Sequence, residues 1–281
     1  MAEFVNALTH HAFLQYALLG GILASIGCGI VGTFVVVKKI GYLAGGIAHA
    51  VLGGMGIAYF LGGSPMIGAL LAALAAAVTV GWISLTWKER QDTVIGAVWA
   101  IGMAVGILFI SQTPGYNVDL MSYLFGNILM ITSRDLLLMA VLDVIIIIAL
   151  GLFYKQALAV AFDEQFARVR GVPVRWVYML LLCMVALTVV LLIQVVGLIL
   201  VIALLTLPAA IAGQLVRTVR AMMLLASLFG AVFTTAGLAL SYGPDIPAGS
   251  TIILLAGLAY IGVFLGRVLW TRRRVSEGKR G

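Results

Sequence analysis

Residues 176–215 read WVYMLLLCMVALTVVLLIQVVGLILVIALLTLPAAIAGQL, forty positions without one Asp, Glu, Lys or Arg. As one straight helix this stretch would measure about 60 Å, roughly twice the ~30 Å hydrocarbon thickness of a bilayer. It is too apolar for the surface of a soluble domain and too long for one crossing. Its reading decides the fold: two membrane helices in succession, with Gln194 and Gly197 as the only break signals, or a merged segment and one crossing fewer. The remainder of the 281 residues has the same character. Hydrophobic residues make up 63% and charged residues 10%, against about 45–50% and about 25% in soluble domains. That balance excludes a soluble enzyme, a nucleic-acid binder and a disordered chain. Cys28 and Cys183 both lie in apolar runs, as small buried residues and not as a disulfide or metal framework.

Outward from 176–215, the apolar segments are 14–37, 42–62, 66–87, 93–112, 134–153, 176–194, 197–215, 221–241 and 249–270. The expected fold is an all-α polytopic membrane protein with about nine transmembrane helices, or eight in the merged reading. The breaks have local causes. Lys38-Lys39 ends the first segment, Gly62-Gly63-Ser64-Pro65 is a turn, and Pro114-Gly115 stops the fourth. Lys and Arg set the orientation. With the N-terminus outside and the C-terminus cytoplasmic, 16 of the 17 basic residues fall on the inner side and only Arg134 lies outside. The net charge of +7 is therefore a topology signal, and no basic groove with aromatic platforms suggests nucleic acid.

The chain reads as a single transmembrane domain over 1–281. Residues 113–133 form an outer-surface loop expected to carry a short helix, and 271–281 form a basic cytoplasmic tail. The longest inner loop is 155–175, KQALAVAFDEQFARVRGVPVR. Asp163 and Glu164 open a helical pattern within it. Phe162, Phe166 and Val169 share one face, Gly171 suits the C′ position, and Pro173 prevents continuation. Such a helix is either a docking element or an interfacial connector. No G-x-x-x-x-G-K-[ST] phosphate loop occurs anywhere, so the chain has no ATPase motif of its own.

Several motifs in order resemble the permease subunits of the ABC-3 metal importers, the zinc/manganese/iron-type ABC family. Phe162-Asp163-Glu164-Gln165-Phe166-Ala167 with Gly171-Val172 resembles their ATPase-coupling segment. Gly32 to Lys39 resembles the end of their first helix, and Ala48-His49-Ala50 their Ser-His-Ala segment. Leu124-Phe125-Gly126 resembles an outer-loop motif, Val196-Gly197-Leu198 through Pro208-Ala209-Ala210 a seventh helix, and Asp245 to Thr251 the last outer turn. The likeness covers nearly the whole chain. It implies a type II ABC importer-like bundle in a prokaryotic cytoplasmic (inner) membrane. The substrate would be a divalent metal, zinc first, with manganese and iron as alternatives. Partners would be a second permease subunit (a homodimer), a cytosolic ABC ATPase dimer holding ATP and Mg, and an extracytoplasmic metal-binding protein. The chain itself would bind no cofactor. The coupling contacts would fall on Phe162, Asp163, Glu164, Phe166, Ala167, Arg168 and Gly171. The other class of function is a secondary transporter coupled to protons or ions.

Two ionisable groups lie within the apolar segments. His49 is a candidate pathway ligand, since imidazole suits divalent metals; the other reading bonds it to a backbone carbonyl in a glycine-rich helix. The resembling family usually carries Asp four residues earlier, where this chain has Gly45. Asp143, near the middle of the fifth segment, is a candidate for the missing carboxylate, for a proton relay, or for a structural hydrogen bond. Asp245 is placed at the outer mouth, where it would attract cations or simply serve the turn.

Overall fold

The computed structural model describes residues 7–87, 91–113, 126–244 and 246–277. Among the described residues helices are joined by short turns, and there is no strand. In chain order the helices are α1 (Ala12–Lys38), α2 (Gly41–Phe60), α3 (Pro65–Thr86) and α4 (Gln91–Ser111), then a 3₁₀ turn (Ile128–Met130). There follow α5 (Ser133–Phe162), the short α6 (Glu164–Val169), α7 (Val174–Leu215), α8 (Val219–Tyr242) and α9 (Ala248–Glu277). Among the described residues eight helical segments are long and apolar enough to cross a bilayer, and a further apolar helix, Leu200–Leu215, is shorter.

Local chemistry explains the ends. Pro65 occupies the first turn of α3, where its missing N–H costs nothing. Thr132 and Asp135 form a reciprocal capping box at the start of α5. The Thr218 hydroxyl caps α8 by accepting from the Ala221 amide. α5 differs from the expected 134–153 segment: it bends at Phe153 (φ −109°, ψ 17°) but continues helically to Phe162. The first part of 155–175 is therefore helix, not loop. Of the outer 113–133 loop only Thr113 and 126–133 are described; they carry the 3₁₀ turn Ile128–Met130, and 114–125 lie outside the described residues. α9 continues past 270 to Glu277, into the segment expected as a tail.

The α7 stretch is nominally a 42-residue helix, broken at Gly197 (φ 75°, ψ 171°). Its contacts show that the chain turns back there. The Lys38 ammonium sits 5.2 Å from the centre of the Tyr178 ring. Val36 and Val37, the two residues before it on α1, pack against the cluster formed by Ala209, Ala212, Met222 and Ala226. In a straight helix residues 178 and 210 would be about 48 Å apart, yet both reach the same end of α1. Residues 174–196 and 198–215 therefore run in opposite senses. Gly126 (φ 74°) lies against this reversal, where a Cβ would come 2.5 Å from the Val196 carbonyl carbon.

α1 packs against α5, both halves of α7, and α8, while the two halves of α7 touch α1, α2, α3, α5, α8 and α9. α2 and α4 approach closely because glycines face each other: a Cβ at Gly53 would lie 2.9 Å from the Gly102 carbonyl oxygen. With lipid on the outside, such close packing supplies the dispersion contact that holds helices together.

Candidate functional site

His49 is 7% exposed, on α2. Its Nδ1 lies 2.9 Å from the Gly45 carbonyl oxygen, one turn earlier. A carbonyl only accepts, so Nδ1 carries the proton and donates. Nε2 is left with the lone pair and no partner among the described residues. The imidazole stacks on Trp99 of α4, with centroids 3.8 Å apart and planes 22° off parallel. The carbonyl bond and a ligand role are compatible, because metal-binding histidines commonly donate their second nitrogen to a backbone carbonyl. A side chain at position 45 would have to displace the end of Ile202 on the α7 stretch. A Cβ on Gly45 would lie 2.8 Å from Ile202 Cδ1 and 3.6 Å from the Trp99 ring.

Asp143 is 3% exposed, and among the described residues neither carboxylate oxygen has a hydrogen-bond partner. Its neighbourhood is Gly27 of α1 with Thr188 and Leu191 of α7; a Cβ on Gly27 would be 2.9 Å from Oδ1. His49 has other neighbours: Gly45, Trp99 and the side of α2 that faces Ile202. The structure does not bring the two ionisable groups together. Among the described residues no three His, Cys, Asp or Glu side chains cluster as a metal site. Asp245 lies outside the described residues.

At the opposite feature of interest, α6 forms as local chemistry dictates. Asp163 Oδ1 accepts from the amides of Gln165 and Phe166, each at 2.9 Å. Gly171 (φ 77°) ends the helix, and the Val172 amide closes back on the Ala167 carbonyl at 3.0 Å. Ala167 is buried against the body. Phe162 and Phe166 are 67% and 53% exposed, and Val169 87%. Arg168 and Gly171 are exposed beside them. Arg170 stacks its guanidinium 5.2 Å from the Phe166 ring centre. Glu164 points inward and forms an ion pair with Lys38 at 2.7 Å. Lys38 also donates to the Val160 carbonyl at 3.0 Å.

Sequence reading missed two partners, Trp99 for His49 and Lys38 for Glu164. Lys38 was visible as half of a basic pair, but nothing local ties it to a residue 126 positions later.

The family model described as the ABC 3 transport family matches residues 10–267. An uncharacterized membrane protein of Synechocystis is 46% identical over 93% of each chain. The manganese transport system membrane protein MntC of Halalkalibacterium halodurans is 33% identical over 93% of this chain and 89% of its own. Among solved structures, PsaBC from Streptococcus pneumoniae in complex with Fab is similar at 34% identity and a TM-score of 0.85, covering 94% of this chain and 95% of that one.

Proposed function

The chain belongs to the ABC 3 transport family, and from that membership we propose that it is the permease subunit of an ATP-driven importer for a divalent metal ion. It is a multi-pass membrane protein. In our reading it crosses the membrane nine times, the shorter 198–215 helix included, with the N-terminus outside and the Lys38–α6 end cytoplasmic. The excess of basic residues at that end supports this orientation.

The observation that carries the proposal is α6: a capped helix with exposed Phe162, Phe166 and Val169, clamped through Glu164 to the end of α1. A rigid apolar knob joined to a pore helix suits transmission of force from a separate ATPase. A second permease copy, an ATPase pair and an extracytoplasmic binding protein complete the assembly. ATP and Mg would belong to the ATPase, and the metal is cargo. His49 Nε2 is the pathway ligand in this reading, met by its counterpart from the second copy. Asp143 is left out of the path. Manganese has the support of the manganese relative's name; zinc, the expectation from sequence, has support from imidazole chemistry alone.

The test is uptake of manganese, zinc and iron, side by side, into vesicles holding the chain with an ATPase partner. Uptake should require ATP and favour manganese. Uptake by the chain alone, driven by a proton gradient, would replace this reading with secondary transport.

A further inference from the structure

We infer that the groove between α5 and α8 binds an anionic phospholipid of the cytoplasmic leaflet, one acyl chain lying in the groove and its phosphate on Arg220. The leaflet assignment rests on the orientation proposed above. α1 forms the floor through Ile26 and Ile30, and the walls include Ile147 of α5 and Leu224 of α8. The cavity measures about 570 Å³, within the roughly 300–1,000 Å³ of ligand pockets. Its lining is apolar between Ser227 at one end and Tyr154 and Arg220 at the other, and basic only at the Arg220 end. Gly151 on the α5 wall opens the groove: a Cβ there would meet nothing within 4 Å. From Arg220 to Ser227 the α8 wall runs about 10 Å, most of the ~15 Å depth of one leaflet.

At the cytoplasmic mouth, Arg220 lies 5.0 Å from the centre of the Tyr154 ring. The ring holds the cation at the mouth of the groove, and among the described residues no carboxylate pairs with it. A guanidinium beside an apolar trough is complementary to a phosphate carrying an acyl chain, through paired N–H···O bonds. A zwitterionic headgroup offers the same tail but no net negative charge.

The experiment is native mass spectrometry of the purified, delipidated chain, titrated with phosphatidylglycerol or phosphatidylcholine of identical acyl chains. Wild type should retain phosphatidylglycerol roughly fivefold better. Arg220→Gln should equalise the two lipids, and Arg220→Lys should keep part of the preference. Gly151→Phe, which fills the trough, should weaken both lipids together. Equal retention by wild type, or an unchanged preference in Arg220→Gln, overturns the proposal. So does Leu224→Cys cross-linking between two copies of the chain, since the groove would then be an interface. No metal or nucleotide enters the assay, so a failed lipid preference bears on this groove alone and a failed uptake assay on the transport reading alone.

Discussion

Lys38 and Glu164 form an ion pair at 2.7 Å, joining the end of the first long helix to the short helix that leaves the bundle. Both side chains are largely shielded, and Lys38 also holds the Val160 carbonyl and lies over Tyr178. Three elements, α5, α6 and α7, thus meet on one ammonium. Displacing α6 would therefore pull on the end of α1.

Glu164→Gln should therefore leave folding nearly intact but reduce the metal moved per ATP hydrolysed. The stability cost should be about 1.5–3 kcal/mol, the range for a hydrogen bond to a charged group. The check is hydrolysis and uptake measured in the same vesicles. A charge swap, Lys38→Glu with Glu164→Lys, should rescue only in part, because the Val160 carbonyl needs a donor at position 38. An unchanged transport-to-hydrolysis ratio in Glu164→Gln would make the pair merely structural.

Gly197→Ala should destabilise the protein by roughly 1–3 kcal/mol, since φ 75° with ψ 171° is a region open essentially to glycine alone. Gly126→Ala should add a steric penalty, as its Cβ would press on Val196 and Gly197. Gly257→Ala is the control. Nothing lies within 4 Å of a Cβ there, so helix propensity should leave it neutral or stabilising by about 0.5–1 kcal/mol. Thermal melts in one detergent compare the three.

His49→Ala should abolish uptake while the chain still assembles, because it removes the one free imidazole nitrogen of α2. Trp99→Leu keeps the bond to the Gly45 carbonyl and removes the stacked ring. It should lower apparent metal affinity by about 10–100-fold, the usual effect of losing a group that orients a ligand. Metal titrations of initial uptake rate separate the two. Full uptake by a well-assembled His49→Ala would exclude the residue from the path.

Asp143→Leu should keep metal uptake and raise thermal stability. The carboxylate has no hydrogen-bond partner among the described residues, and an apolar side chain of similar shape removes an unsatisfied buried group worth about 1–3 kcal/mol. Loss of uptake with an intact melt would instead place Asp143 on the transport route.

What the sequence carried was whatever depends on near neighbours along the chain. Hydropathy marks apolar runs long enough to span, since every backbone group in lipid must find its partner within its own helix. The ends of α6 were legible because Asp163, Gly171 and Pro173 act within a turn or two. Lys and Arg positions indicated a sidedness for the same local reason. Tertiary structure decided the rest. Forty uncharged residues are equally apolar whether straight or doubled, and only the shared contacts of Tyr178 and Ala209 with one end of α1 show the reversal at Gly197. The stacking of His49 on Trp99, and of Arg220 on Tyr154, joins helices far apart in sequence. Such pairings depend on which glycines let which helices touch, and hydropathy is blind to that because all faces of a membrane helix are apolar.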